Sequence, residues 1–280
     1  EPEIVCGTSI GALVGGVYAA GKLAELAAWA RALTPLDVAG LVDLGVGGRG
    51  PIAGRKLMGL YREHLGDPSI EELPRRFAAV ATDLESGEEV WLRRGPLLTA
   101  IRASISIPGV FAPVLRDGRW LVDGGLVDPV PVSLCRAMGA DVVLAVDLNS
   151  QATAHAPGRL QAAPTAARGQ RVRTGLTRIF AGGDGAAAAP PAVIAAAVDI
   201  MQHRISRSRL AADPPDLLVA PRVAHLSMLE FTGGGPTVDE GCRVARRVIP
   251  ALKRLLRREA EVAVGALAPP AVSPGEHPDA

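Results

Sequence analysis

The residues with the clearest chemical potential are Gly7-Thr8-Ser9-Ile10-Gly11. The apolar pair Ile4-Val5 precedes this glycine–serine–glycine spacing and the helix-prone run Ala12-Leu13-Val14 follows it. A short strand, a sharp turn and a helix make a nucleophile elbow, which projects a serine hydroxyl from the turn. Gly7 and Gly11 are expected where a side chain would collide with the neighbouring strand and helix. Ser9 would stand at a helix N-terminus, where free N–H groups and the helix dipole favour a developing negative charge. The spacing alone is weak, because a chain with 32 glycines can produce it by chance. A serine nucleophile also needs a base.

Five histidines are present: His64, His155, His203, His225 and His277. His64 falls in the last turn of a helical pattern, where a cation suits the dipole. His155 and His277 lie in low-complexity stretches, and His203 lies mid-helix among arginines. His225 follows a strand pattern and is the one serious triad candidate, but its neighbours Ala224 and Leu226 bring neither a glycine nor an acid. The other candidate is Asp123, at the end of the apolar run Trp120-Leu121-Val122 and followed by Gly124-Gly125. An aspartate titrates near pH 3.9 in water and is a poor base for a hydroxyl. It becomes useful only in direct reach of Ser9 in a partly dry pocket, where its basicity rises. By itself Asp123 reads equally as a turn residue bonding its own backbone; with the elbow present, the pair Ser9 and Asp123 is the better reading. The cysteines Cys6, Cys135 and Cys242 are far apart and odd in number, with no metal-ligand spacing. Cys6 reads as a small apolar strand residue, and no cofactor or metal is called for.

Strand and helix patterns alternate around these residues, which predicts an α/β sheet. Residues 10–20 read as the elbow helix closed by Gly21, with Gly11, Gly15 and Ala19 forming a smooth packing face. Helices are predicted over 23–33, about 35–44, and from Leu57 to Leu65. Ser69-x-x-Glu72 has capping-box spacing. Phe77–Leu84 and Val90-Trp91-Leu92 read as a hairpin, Leu97–Ile105 as a helix, and Asp117-Gly118 as a tight turn before the strand that ends at Asp123. Pro131–Met138 is a short helix. Asp141–Asp147 is a near-continuous apolar run expected to be buried on both faces. Helices are predicted over about 192–211 and 237–262, the second with an apolar stripe of Val238, Cys242, Ala245, Ile249, Leu252 and Leu256. Residues 150–192, rich in Ala, Gly, Pro, Gln and Arg, read as a flexible insertion, and 263–280 as a disordered Pro/Ala-rich tail.

The 280 residues carry a net charge of +1 and only 3% aromatics, which gives no reason to expect a nucleic-acid partner. With 48% hydrophobic and 21% charged residues, a sizeable core can be buried. The loop Gly45-Val46-Gly47-Gly48-Arg49-Gly50 lacks the Lys-Ser/Thr of a phosphate-binding loop and reads better as a mobile loop near the site. No apolar run reaches the roughly 18–20 residues of a membrane span.

Gly7-Thr8-Ser9-Ile10-Gly11-Ala12 together with Asp123-Gly124-Gly125 resembles the patatin-like phospholipase family, in its bacterial branch related to neuropathy target esterase. Ala81-Thr82-Asp83-Leu84, the stretch Arg102 to Phe111, and Asp199-Ile200-Met201-Gln202 are similar as well, so the likeness runs over 4–149 and 192–256. The resemblance implies an α/β chain with a three-layer α/β/α fold, a central mostly parallel sheet, and one hydrolase domain over 1–262. It implies Ser9 as nucleophile, Asp123 as base, and hydrolysis of acyl esters of phospholipids or lysophospholipids through an acyl-enzyme, with Arg102 to Phe111 supporting the site. It also implies a first strand and a glycine-rich oxyanion loop upstream of the elbow. The sequence opens at Glu1-Pro2-Glu3 without a Met, too late to contain them, so the expected protein extends further N-terminally. The Ile10 N–H would supply one oxyanion donor. A non-catalytic lipid-binding module and an acyltransferase using the same serine are the alternatives. The expected partner is a lipid ester, with peripheral membrane contact through the arginine-bearing helices 203–209 and 237–262, or simply a solvated basic face there. A cytoplasmic or peripheral-membrane location is the corresponding expectation.

Overall fold

The computed structural model describes residues 1–34, 36–37, 40, 54–149, 190–223 and 234–267. Strand β1 (Ile4–Thr8) leads through Ser9 into α1 (Ile10–Ala19) and α2 (Leu23–Ala32). Helix α3 (Arg55–Leu65) and a capped turn at Ile70–Glu72 precede β2 (Arg76–Asp83) and β3 (Glu89–Leu92). Helix α4 (Leu97–Ser104), strands β4 (Val114–Arg116) and β5 (Arg119–Asp123), and a tight turn over Gly124–Leu126 follow. Then come α5 (Val132–Ala137), β6 (Leu144–Val146), α6 (Pro190–Ala212), β7 (Leu217–Val219) and α7 (Gly234–Leu267).

Strand β2 organises the molecule. Its side chains alternate between two cores, as a two-faced strand requires. Phe77, Ala79 and Ala81 join Leu13, Val17, Leu97, Ile101 and Leu121 beneath α1 and α4. Ala78 and Val80 join Leu134 and Met138 beneath α5. Helices on both faces of the sheet give the three expected layers. The sheet itself is mixed rather than mostly parallel. In the five-stranded sheet β1 runs parallel to β2, whereas β3 and β5 run antiparallel to β2 and β4 antiparallel to β5; β6 and β7 pair in parallel as a separate two-stranded sheet. The reason is local: the turns at 84–88 and Asp117-Gly118 are too short for a crossover and close hairpins instead.

The register explains how residues 114 positions apart meet. β1 pairs with 76–80 of β2, β5 with 81–83, and β3 with 79–82. Because β3 overlaps both registers it must occupy the opposite edge, so β1 and β5 share one edge and approach it end to end. Thr8 lies opposite Val80 and Asp123 opposite Ala81. The chain leaving β1 and the chain leaving β5 therefore arrive at one point.

Three details differ from the sequence reading. The apolar run at 141–147 forms only the three-residue β6, with Leu144 and Val146 exposed, because its one strand partner among the described residues is β7. α7 turns Val244, Val248, Ala251 and Leu255 inward, while Cys242, Ala245, Ile249 and Leu256 are exposed. Val238 and Leu252 of the expected stripe are half-buried as well, so two of its six positions are sheltered and four are exposed. α7 also continues to Leu267, past the end expected at 262. The insertion at 150–189, the glycine loop at 45–50, His155, His225, His277 and the tail from 268 lie outside the described residues. Among the described residues no helix is long and apolar enough to cross a membrane.

Candidate active site

Ser9 caps α1 without behaving as an N-cap. A serine there ordinarily accepts a helix N–H on its hydroxyl, but Ser9 makes no such bond. Its backbone sits at φ 54°, ψ −125°, a region L-residues rarely adopt. The Ser9 carbonyl accepts the N–H groups of Ala12 and Leu13, at 2.9 and 3.2 Å. The hydroxyl is turned away from the helix and donates to Asp123 Oδ2 at 2.6 Å. Strain of this kind costs on the order of 1–3 kcal/mol and persists only where the surroundings enforce it.

Those surroundings include a residue that sequence reasoning did not single out. Ser104, fully buried at the end of α4, accepts the Ser9 backbone N–H at 2.9 Å and donates its own hydroxyl to the Val80 carbonyl at 2.6 Å. It ties the elbow to the central strand. Two residues on, the Ser106 carbonyl accepts the Asp123 N–H at 3.0 Å. Arg102 fixes this segment by donating to Ser106 Oγ at 2.7 Å and to the Ala112 carbonyl at 2.9 Å. The stretch Arg102 to Phe111 therefore supports Ser9 and Asp123 together. The signal was its serine-rich pattern, Ser104-Ile105-Ser106, in an otherwise apolar helix end. Removing the Ser104 hydroxyl leaves the Ser9 N–H without its acceptor and the Val80 carbonyl without this donor, a loss of about 1–3 kcal/mol. The expected result for Ser104→Ala is a several-degree fall in Tm, measured by thermal unfolding, with kcat lower by roughly tenfold for a misaimed nucleophile.

Asp123 is fully buried. Its Oδ1 accepts the Gly125 N–H at 2.8 Å, Thr82 Oγ1 donates to its carbonyl at 2.8 Å, and Thr8 Oγ1 donates to the Asp128 carbonyl at 2.7 Å. Burial raises the Asp123 carboxyl to about 6, against the opposing pull of the Ser9 hydroxyl and the Gly125 N–H. It is thus a stronger base than a free aspartate yet still ionised above pH 7.

The glycines divide by role. A Cβ on Gly7 would lie 2.3 Å from the Gly11 carbonyl oxygen, and one on Gly124 the same distance from the Val80 carbonyl oxygen. Gly125 is closed off by a side chain instead: its Cβ would lie 2.2 Å from Gln202 Nε2. Gly11 was expected to be crowded as well, but a Cβ there meets nothing within 4 Å. What crowds Gly7 is the backbone of residue 11, which any amino acid would supply. Gly7→Ala is therefore expected to cost about 3 kcal/mol or more. Gly11→Ala, inside a helix, is expected to be neutral or stabilising by about 0.5–1 kcal/mol. Chemical denaturation of the two variants measures both.

Those of the remaining candidates that lie among the described residues have partners of their own. His64 Nδ1 bonds the Leu60 carbonyl at 2.9 Å within α3. His203 is buried, and its Nδ1 donates to the Asn149 carbonyl at 2.9 Å. Cys6 Sγ packs 3.5 Å from Met138 Sδ, and the neighbouring Cys135 thiol, then burial, push its own thiol upward, away from thiolate chemistry. Among the described residues no cluster of three metal-ligating side chains occurs. The Ile10 N–H opens α1, and no acceptor among the described residues takes it.

A serine on a strained strand-to-helix turn, bonded directly to a buried aspartate from a neighbouring strand, defines an elbow-type site of the α/β/α class. Residues 1–136 match the patatin-like phospholipase family, and the chain carries a patatin-like phospholipase domain. It is 48% identical over 145 residues to an uncharacterized NTE family protein of Mycobacterium tuberculosis, covering 52% of this chain and 40% of that one. A second M. tuberculosis NTE family protein is 36% identical over 146 residues, 51% of this chain and 24% of the relative. Patatin-like phospholipase domain-containing protein 6 of Mus musculus is 30% identical over 156 residues, 53% of this chain and 11% of the mouse protein. The chain thus spans well under half the length of these relatives.

Proposed function

We propose that the protein is a serine hydrolase of lipid acyl esters, working through Ser9 and Asp123 without a histidine. The observation that carries this reading is the 2.6 Å bond from Ser9 Oγ to Asp123 Oδ2 at the strained elbow. In the first half-reaction Ser9 Oγ adds to the ester carbonyl as its proton passes to Asp123. The tetrahedral oxyanion accepts the Ile10 N–H. Collapse expels the alcohol, which takes the proton back from Asp123 and leaves the acyl group on Ser9. In the second half-reaction Asp123 takes a proton from water, the hydroxide equivalent adds to the acyl carbonyl, and Ser9 leaves with that proton as the fatty acid departs. Membership of the patatin-like phospholipase family supports a phospholipid or lysophospholipid as the ester.

The test is to incubate the full-length protein with lysophosphatidylcholine vesicles and a short-chain nitrophenyl ester, and to follow fatty acid and nitrophenol. Turnover that requires Ser9 is the expected result. Saturable vesicle binding without turnover would instead identify a lipid-binding module. Acyl transfer to an added alcohol at the expense of free fatty acid would identify a transferase with the same acyl-enzyme.

A further inference from the structure

A concentration of positive charge lies at the end of the sheet far from Ser9. The chain carries two arginine pairs, Arg75-Arg76 and Arg93-Arg94. β2 begins at Arg76 and β3 ends at Leu92, and the two strands pair antiparallel with Leu92 opposite Ala79. Both pairs are therefore brought to the same end of the sheet, where they line a groove of about 370 Å³. The buried side chains of Ile70, Phe77 and Met138 line it as well and give it an apolar base. Its walls are tied together: the Ile70 N–H donates to the Gly95 carbonyl at 2.9 Å, and the Arg116 guanidinium donates to the Arg94 carbonyl.

The four guanidinium groups stay charged at any working pH. Arg75 is paired with Glu1 and lies 4.7 Å from the centroid of the Tyr18 ring. Arg93 lies 5.6 Å from the centroid of the Trp91 ring, which leaves its charge in place. Among the described residues Arg76, Arg93 and Arg94 form no ion pair and donate no side-chain hydrogen bond. Glu71, the one acidic residue lining the groove among the described residues, feels Arg94 but accepts the Ser69 hydroxyl and the Gly95 N–H on Oε2. Four guanidinium charges against those of Glu1 and Glu71 leave two positive charges over. Like charges gathered in a concave site focus the field and draw in anions. The groove is also separate from the dyad. Thr8, next to Ser9, faces Val80, and Phe77 lies three residues earlier on β2, about 10 Å back along the strand.

We propose that this groove is a binding site for a small phosphorylated molecule, its phosphate held by Arg76, Arg93 and Arg94. The planar guanidinium fork matches phosphate oxygens two at a time. A phosphate monoester carries about −1.5 to −2 charge at neutral pH, which matches the excess on the groove. The volume falls in the range of small-molecule sites, roughly 300–1,000 Å³, and the apolar base accommodates a carbon skeleton. The inference does not rest on the Ser9–Asp123 reading, because binding is measured without turnover.

The experiment titrates the full-length protein with glycerol 3-phosphate and with pyrophosphate by calorimetry, beside a sedimentation assay with phosphatidic acid vesicles. Saturable binding of one free phosphate compound per chain is the expected result. It should weaken about tenfold or more in Arg76→Gln and in Arg94→Gln and stay unchanged in Ser9→Ala. Both arginines are exposed, and thermal unfolding of the two variants should match wild type. No saturable heat, or binding that both arginine variants leave unchanged, would overturn the inference. Binding to the vesicles with none to either free compound would overturn it in favour of a membrane-facing patch.

Discussion

Replacing Ser9 with alanine is expected to abolish ester hydrolysis, with kcat falling by roughly 10⁴-fold or more, as when the nucleophile of a serine hydrolase is removed. The fold should survive. Ser9 makes its packing-relevant bonds through its backbone, by donating to Ser104 Oγ and by accepting from Ala12 and Leu13. Alanine keeps all three and loses only the bond to Asp123. Ser9→Gly extends the test. Glycine reaches a φ of 54° without the Cβ penalty, so this variant should be inactive and yet unfold at a higher temperature than Ser9→Ala. A site that is strained for function is relieved when function is removed. Calorimetry beside a nitrophenyl ester assay decides both points. Equal stability of the two variants would mean that the elbow carries no strain.

Asp123→Asn is expected to act in opposite directions on rate and stability. The rate should fall roughly 10³- to 10⁴-fold, the contribution of a well-placed general base. Stability should rise at alkaline pH. The Asp123 carboxyl is held at about 6 in the fold, above its unfolded value of roughly 3.9. The sign follows: protonated Asp123 contributes stability that is fully present below about pH 4 and lost as pH rises through about 6. Two units correspond to roughly 2–3 kcal/mol for this fully buried group. Asparagine keeps the acceptor for the Gly125 N–H and carries no charge at any pH. The variant should thus unfold several degrees above wild type at pH 8, with the gap closing toward pH 4. The same titration places the acid limb of wild-type activity near pH 6. A variant less stable than wild type at pH 8 would show that the charge is better compensated than its burial implies.

Much of this was legible in the residues. The elbow, the Asp123 turn and the two hairpins follow from glycine positions and apolar periodicity, which are local properties. Ser9 and Asp123 could be paired because each alone is an odd local design. What the sequence could not show depends on three-dimensional register. Gly7 and Gly11 look equivalent in the chain, yet only Gly7 is crowded, because the helix backbone crosses one and not the other. Ser104 looks like a polar helix end until β2 places the Val80 carbonyl under it. The reason for Gly125 lies 77 residues away in Gln202. β6 misled because a run of apolar residues reads as buried on both faces whether or not strands flank it.

We propose a serine activated by an aspartate without histidine. Its most direct test is the rate at which a fluorophosphonate modifies the full-length protein, with the adduct located by mass spectrometry. The adduct should form on Ser9, some 10³-fold more slowly in Asp123→Asn, and at wild-type rate in proteins lacking His64, His155, His203, His225 or His277 one at a time. Loss of labelling in any one of those histidine variants, with Asp123→Asn still labelled at the wild-type rate, would contradict the dyad and replace it with a triad.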